Sequence, residues 1–160
     1  MQEEKETKTS SDQVADSVKK TLQEILEKME FEAEVEVMLA TSEQISLDIQ
    51  ADDLGLLIGN EGETLNALQS LLRVITSQAN PERIPILLDA EGYRERRAQS
   101  LRERAFQVKE KVKSTGQEAV MHGLTAYERR IIHLALAEDP DVVTYSEGDG
   151  PDRSLIVSPA

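Results

Sequence analysis

Arg129 and His133 are the residues whose types and spacing could do the most chemistry in this chain. Residues four positions apart share one face of a helix, and Arg130 falls in the same sector. A guanidinium can hold a phosphate through two parallel hydrogen bonds or stack on a base, and an imidazole can do either according to its protonation. We therefore predict a cationic surface suited to nucleic acid here. The alternative is an ordinary solvated helix face.

The helix that must position these cations is predicted to begin after Thr125. Thr125 as N-cap and Glu128 at the third helical position fit a capping box. At about 100° per residue the cations lie opposite an apolar stripe, which we expect to face the core. The stripe consists of Tyr127, Ile131, Leu134 and Ala135.

The charge of the chain is unevenly distributed along its 160 residues, although the net charge is −13. Residues 91–133 carry 10 basic and 6 acidic side chains, whereas residues 1–90 carry 7 and 19 and residues 134–160 carry 1 and 6. Phosphate attraction acts within a Debye length of about 8 Å at physiological salt. A local basic segment can therefore bind nucleic acid while the remaining acidic surface suppresses unspecific binding.

Several classes of protein are disfavoured by the composition. No window approaches about 18 consecutive apolar residues, and the charged first thirty lack a signal sequence, so we expect a cytoplasmic protein without membrane contact. There are no cysteines, and His122 and His133 lack a third nitrogen or sulfur ligand. We predict no metal and no cofactor. The acidic segment 147–152 lacks the spacing of a calcium loop and is expected to be a hairpin turn.

The first 90 residues predict an α-β-β-α-α-β order. Residues 1–10 are expected to be disordered, and residues 11–90 to form a domain with an N-terminal helix from about Asp12 to Met29. Alternating apolar residues at 35–39 and 45–49 predict a hairpin with one buried face. A short apolar turn, a glycine loop, a helix carrying Leu65 to Ile75 and a strand at 84–88 follow.

Residues 91–160 predict a second domain of order α-β-α-β-β. A long helix from Tyr93 to Ser114 ends at Gly116, where a left-handed residue is favoured. A short strand, the helix with Arg129 and a closing hairpin complete it. The predicted fold class is therefore α+β with two small domains.

The glycine loop Gly59-Asn60-Glu61-Gly62 lies between two predicted helices, where glycines allow close backbone approach and the next helix offers N–H groups to an anion. In this context it resembles the Gly-x-x-Gly loop of a type II KH domain, which clamps about four nucleotides. The alternative is a glycine linker in an unrelated α+β domain. The resemblance implies that Gly59, Asn60 and Gly62 contact RNA.

The second half resembles the single-stranded nucleic-acid-binding domain named for its Arg-x-x-x-His motif, here Arg129 and His133. With the KH order and the segment 91–97, roughly residues 30–158 resemble the bacterial Jag family, also called KhpB or EloR. The resemblance implies a cytoplasmic RNA-binding protein linked to cell elongation and division. It also implies a small KH-only partner or self-association through the KH domain. Only a short helix precedes the first strand, so the Jag-N domain of many members is expected to be lacking.

The KH loop departs from its family in charge, because Glu61 occupies a position where a basic residue usually meets phosphate. We therefore expect single-stranded RNA to bind mainly through residues 91–160, with Arg94 and Arg97 extending the surface. If the loop is silent, Gly62→Asp should change RNA binding little.

Two other functions compete with RNA binding. One is a protein-interaction adaptor whose acidic KH half docks a partner, with RNA secondary. The other is an enzyme such as a metal-dependent nuclease, which we do not expect because no carboxylate pair has a suitable spacing.

Overall fold

The computed structural model describes the backbone of residues 2–160 and the side chains of residues 10–150 and 152–160. The chain divides into two compact units, the first ending at Arg94 and the second comprising Glu95–Ala160. The division lies four residues beyond the boundary predicted from sequence. Each unit has its own hydrophobic core.

The first unit has the predicted order of a type II KH domain. Its elements are α1 (Gln2–Lys28), β1 (Glu34–Ala40), β2 (Ile45–Gln50), α2 (Gly55–Ile58), α3 (Glu63–Ile75) and β3 (Ile86–Ala90). The sheet order is β1-β2-β3, with β1 antiparallel and β3 parallel to β2. Helices α1 and α3 bury their apolar stripes on this sheet, and Leu22, Leu47, Leu72 and Leu88 lie in the core between them.

Helix α1 begins ten residues earlier than predicted. The backbone of residues 2–10, for which disorder was expected, is part of this helix, while Met1 and the side chains of residues 1–9 lie outside the described part of the chain. Residues 2–10 contain few apolar side chains, which indicated disorder. Glu, Gln and Lys nevertheless favour helix, and lengthening an existing helix costs little free energy.

A bulge in β1 changes which of its residues are buried. The register with β2 shifts between Val37 and Leu39, so an additional residue is inserted at this point. Leu39 was expected on the buried face but is 44% exposed, because the bulge interrupts the alternation of side chains. Val35 remains in the core.

The glycine loop between α2 and α3 requires both of its glycines. Gly59 has φ +74°, and a Cβ placed there would lie 2.1 Å from Thr64 Oγ1. Gly62 has φ +86°, is buried, and a Cβ there would lie 2.9 Å from Cε1 of Tyr93. Glu61 also has a positive φ, 51°, although it carries a side chain. The loop therefore packs tightly against its own unit.

The second unit has the predicted α-β-α-β-β order. Its elements are α4 (Tyr93–Thr115), which begins in the last two residues of the first unit, β4 (Ala119–Met121), α5 (Ala126–Leu136), β5 (Val142–Glu147) and β6 (Ser154–Pro159). The sheet is antiparallel with order β4-β6-β5. Gly116 follows α4 with φ +66°, and its N–H donates to the carbonyl of Val112, as expected for a helix end.

Helix α5 packs on the core through a different face from the one predicted. The buried residues are Glu128, Ile132 and Leu136, whereas Tyr127 is 66% and Leu134 62% exposed. The predicted stripe is wrong for Tyr127 and Leu134, whereas its member Ile131 is partly buried against the core. Once Glu128 is buried, the spacing 128, 132, 136 defines the inward face.

Two ion pairs attach α4 to the turn between α5 and β5. Lys109 Nζ lies 3.1 Å from Asp139 Oδ2, and Lys113 Nζ lies 2.5 Å from Asp141 Oδ2. The N–H of Asp141 and then Lys109 hold the pKa of Asp139 below its ordinary value. These two lysines therefore neutralise nearby carboxylates of the same unit.

We predict that Gly62→Ala destabilises the first unit by about 2–4 kcal/mol, because a left-handed φ costs a side chain roughly 1–2 kcal/mol and the Tyr93 contact adds overpacking. Urea unfolding followed by far-UV circular dichroism measures this. Gly55→Ala is the control in the same unit, since its Cβ would meet only Asp53 Oδ1 at 3.3 Å. Equal effects of the two changes would contradict the packing role of Gly62.

This geometry corrects the expected effect of Gly62→Asp. An aspartate at this position would meet the Tyr93 ring at an unfavourable φ, so a loss of RNA binding in that variant would report damage to the unit. It cannot test whether the loop is silent.

Candidate nucleic-acid interface

A groove in the second unit brings the three predicted cations of α5 together with a fourth. We call it the cationic groove. It has a volume of about 570 Å³ and is lined by Ala126, Arg129, Arg130, His133, Thr144, Tyr145, Ser146, Arg153 and Leu155. Helix α5 supplies one wall and strand β5 the other. The geometry therefore groups Arg129, Arg130 and His133 as the spacing predicted.

Arg129 is anchored in this groove by backbone carbonyls. Its Nη1 donates to the carbonyl of Leu124 at 2.7 Å and to that of Arg153 at 3.3 Å. A guanidinium has five N–H donors, and those on Nε and Nη2 make no bond within the described part of the chain. Arg129 is thus held in a fixed orientation with donors left for an anion.

His133 is oriented by strand β5. Its Nδ1 lies 2.5 Å from the hydroxyl oxygen of Thr144, and the side chain is exposed. This contact orients the ring, and Nε2 makes no bond within the described part of the chain. Arg130 is exposed on the same helix. Two oriented groups and one exposed cation therefore line the same groove.

The start of α5 is fixed by a buried carboxylate. Glu128 Oε1 accepts from Nε of Arg97 at 2.7 Å, while Oε2 accepts from the N–H of Thr125 at 2.8 Å. The Thr125 hydroxyl in turn accepts from the N–H of Glu128 at 3.2 Å, which confirms the predicted capping box. The side chains of Arg97 and Glu128 are only 17% and 8% exposed. Arg97 thus joins α4 to α5.

This contact corrects the place given to Arg97 at the interface. Its guanidinium is turned to Glu128, and it is absent from the residues that line the cationic groove. The sequence showed Arg97 only as one of several alternating charges on α4. No local pattern distinguished the arginine that would be buried.

Arg94 also has a role inside its own unit. Its Nε donates to the carbonyl of Leu88 at 2.8 Å, and its Nη2 lies 3.2 Å from the amide oxygens of both Asn66 and Gln69. Arg94 therefore ties the beginning of α4 to β3 and α3 of the first unit. It does not line the cationic groove.

The Gly59–Gly62 loop belongs to the first unit and is a separate candidate. Asn60 and Glu61 are exposed, whereas Gly62 is buried. Gly62 is the N-cap of α3 and has no side chain to accept the first N–H groups of that helix. An anion could meet those donors, but Glu61 places a carboxylate in the same loop.

Sequence reasoning missed Arg153 and Tyr145. Arg153 follows a turn 20 residues after His133 in sequence, and its one signal was that it is the single basic residue in residues 134–160. Tyr145 was predicted only as part of a strand. Partial burial, followed by the charges of Glu118 and Glu147, raises the pKa of Tyr145 above its ordinary value.

Other candidates are placed outside the groove. His122 lies in the loop after β4, and its Nδ1 is 2.7 Å from the hydroxyl oxygen of Ser154. Within the described residues no three histidine or carboxylate side chains are grouped as metal ligands. None of the described helices is long and apolar enough to cross a membrane.

Comparison with known proteins divides the chain as the structure does. Residues 15–86 match the KH domain of the KhpA and KhpB proteins, and residues 99–159 match the R-three-H domain. The protein named RNA-binding protein KhpB of Clostridium symbiosum is 36% identical over 138 residues, which are 86% of this chain and 62% of that protein. The chain belongs to the Jag family of KhpB proteins.

Two further Jag-family proteins carry the same name. RNA-binding protein KhpB of Bacillus subtilis is 30% identical over 139 residues, or 86% of this chain and 66% of that protein. That of Lactiplantibacillus plantarum is 36% identical over 113 residues, or 71% and 35%. The chain thus spans between about a third and two thirds of these relatives. In this Jag-family chain the cationic groove lies within the segment matched to the R-three-H domain.

We predict that Glu128→Gln costs the second unit about 2–4 kcal/mol of unfolding free energy, because it removes one charge of a mostly buried pair. Glutamine can still serve at this position of a capping box, so the loss reports the ion pair with Arg97. Urea unfolding provides the measurement. Glu95→Gln is the control, since its pair with Arg102 is exposed and should cost under about 1 kcal/mol. A loss no larger than that of the control would disprove the role of the pair.

Proposed function

We propose that this chain binds single-stranded RNA and that the cationic groove of the second unit supplies most of the affinity. The observation that carries the proposal is the convergence of Arg129, Arg130, His133 and Arg153 on one groove in a chain of net charge −13. The relatives' name, RNA-binding protein, supports RNA as the ligand. The role proposed is regulatory and non-catalytic.

The groove is suited to a phosphate backbone. Arg129 is held by two carbonyls and can present parallel N–H donors to one phosphate at a reduced cost in side-chain entropy. Arg130 and Arg153 are exposed and add longer-range attraction. His133 can donate from Nε2 when its Nδ1 accepts from the Thr144 hydroxyl.

A groove whose walls are one helix and one strand favours a single strand over a duplex. An accessible single strand can bring its phosphates and its unstacked bases to the same surface, whereas the bases of an RNA duplex lie inside a narrow major groove.

The Gly59–Gly62 loop is proposed to contribute little affinity. At an effective dielectric of 20, a carboxylate about 4 Å from a phosphate charge costs on the order of a few kcal/mol, and less where water screens it. Glu61 therefore opposes the attraction of the helix N-terminus. Gly59, Asn60 and Gly62 stay predicted contacts of lesser weight.

The cellular role follows only from the resemblance to the Jag family. We propose a cytoplasmic protein that acts on RNAs connected with cell elongation and division. RNA crosslinking in the cell, followed by sequencing of the bound fragments, tests this part. If the bound RNA fragments have no relation to cell elongation or division, the proposed cellular role is wrong, while the proposed RNA binding is unaffected.

The first test removes groove charges. Arg130→Gln and Arg153→Gln should each lower affinity for a labelled oligoribonucleotide by about 1 kcal/mol and reduce the salt slope by about one phosphate contact. Fluorescence anisotropy at several salt concentrations measures both. Arg104→Gln is the matched control, because Arg104 is an exposed arginine of α4 outside the groove. Similar losses in all three variants would show that the groove has no special part.

The second test adds a charge to the KH loop. Glu61→Lys should raise affinity and steepen the salt dependence by up to about one phosphate contact, since attraction replaces repulsion. The backbone tolerates the change because position 61 already holds a side chain at φ 51°. Glu82→Lys makes the same charge change elsewhere in the unit. If both lysines act alike, net charge rather than the loop is responsible.

A protein-interaction adaptor is the second candidate, and one observation favours it. Helix α3 exposes an apolar face of Leu71, Val74 and Ile75, which are 46%, 71% and 50% exposed. Exposed apolar patches often mark protein contacts. The partner proposed is another KH protein, either a second copy of this chain or a small KH-only protein.

The adaptor function is tested by the mass of the complexes formed. Val74→Lys should reduce self-association in sedimentation, or capture of a co-expressed KH-only protein, while RNA affinity stays unchanged. Leu134→Lys is a control, since Leu134 is 62% exposed on α5 of the second unit. If wild-type chain neither self-associates nor captures a KH protein, the adaptor function is wrong.

A further inference from the structure

One face of the second unit's sheet is not used by its hydrophobic core. Leu155 and Val157 of β6 and Met121 of β4 point into the core with the residues of α4 and α5. Side chains alternate along a strand, so Ile156 points to the opposite side. Its register partners are Val120 on β4 and Tyr145 on β5. We call the row Val120, Ile156 and Tyr145 the outer row.

The side chain of Tyr145 extends over the other members of the outer row. It is on the edge strand β5, yet its hydroxyl reaches to 3.5 Å from Oε2 of Glu118, which precedes β4 at the other edge. To reach it the ring must cross the central strand β6. Ile156 is 5% exposed although it is not part of the core cluster, which agrees with a ring lying over β6.

The ring also keeps a free surface. Tyr145 is 45% exposed, so one side of the ring rests on the sheet and the other meets solvent. Neighbouring Val120 and Val143 are 47% and 48% exposed. A flat aromatic surface on an open sheet is the arrangement on which an unpaired base can stack.

We propose that Tyr145 is a base-stacking residue, so that a strand whose phosphates lie in the cationic groove places one base on the outer row. This rests on the proposed function of the groove. The two surfaces meet at the edge strand β5. Thr144 faces His133 in the groove, and the next residue, Tyr145, which also belongs to the groove lining, carries its ring to the outer side of the sheet. Within the described lining of the groove Tyr145 is the aromatic residue.

The charges on the outer side of the sheet favour a base over a backbone. Glu118 and Glu147 flank Tyr145 and repel phosphate, whereas the groove side carries Arg129, Arg130 and Arg153. A carboxylate can accept hydrogen bonds from the amino groups of adenine, cytosine or guanine. The strand is thereby oriented with phosphates toward the groove and a base toward the sheet.

The test compares a labelled octamer of riboadenylate with an abasic octamer of the same charge and label, both bound to the full chain. Tyr145→Leu should lower affinity for the adenylate octamer about tenfold and leave the abasic octamer unchanged, since stacking needs a base. Tyr145→Phe keeps the ring and should stay within about twofold of wild type. Tyr127→Leu is the matched control, because Tyr127 is more exposed but does not line the groove.

Equal losses for both octamers in Tyr145→Leu, or no loss for either, would overturn the stacking role. The second outcome would leave the outer row to an apolar protein partner. Arg130→Gln should instead weaken both octamers, and its failure to do so counts against the groove whatever Tyr145 does.

A fluorescent variant gives a second, independent measurement. The chain has no tryptophan, so Tyr145→Trp introduces a single indole at this position. Its emission should be quenched by the adenylate octamer and not by the abasic one at equal saturation. Equal quenching by both, or none, would contradict stacking even if Tyr145→Leu were unstable.

Discussion

The buried contact between Arg97 and Glu128 determines how the second unit presents its cations. Glu128 lies on the core face of α5 and would be a costly charge there without Arg97 and the N–H of Thr125. The next residue, Arg129, is rotated by about 100° and so points to the groove. One more turn of the helix carries His133 to the same side. A carboxylate outside the lining of the groove thus sets the direction of Arg129 and His133, which belong to that lining.

The cationic character of the groove depends on which charges are neutralised within the unit. Residues 91–133 carry four more basic than acidic side chains, but Lys109 and Lys113 are engaged with Asp139 and Asp141. Arg97 is engaged with Glu128. The local excess therefore overstates what α4 can offer to a phosphate. Arg153 comes from an acidic segment and adds to the groove, so three-dimensional grouping, rather than charge counted along the sequence, defines the surface.

The sequence predicted the order of elements because their signals are local. The alternation of β2, the periodicity of α3 and α4 and the capping box at Thr125 depend only on neighbouring residues. The face of α5, the bulge at Leu39 and the place of Arg97 were missed because each depends on a partner distant in sequence. Glu128 illustrates the difference: its capping role was visible three residues away, whereas its burial required a guanidinium 31 residues away. Tyr145 and Arg153 likewise became candidates only when β5 and β6 were seen beside α5.

The two glycines of the KH loop show why a motif and a ligand site must be argued separately. Gly59 is required by Thr64 and Gly62 by Tyr93, so both would be retained by packing even if no nucleic acid touched the loop. Their presence is therefore weak support for RNA contact in this chain. Glu61 tells more about a ligand site than the glycines do, because its exposed side chain is not required by packing. Its left-handed backbone would be less strained with a glycine. Arg129 differs from the two glycines because its packing contacts still leave groups available to a ligand. Two carbonyls fix one end of its guanidinium, and that packing role leaves its other donors directed at the groove.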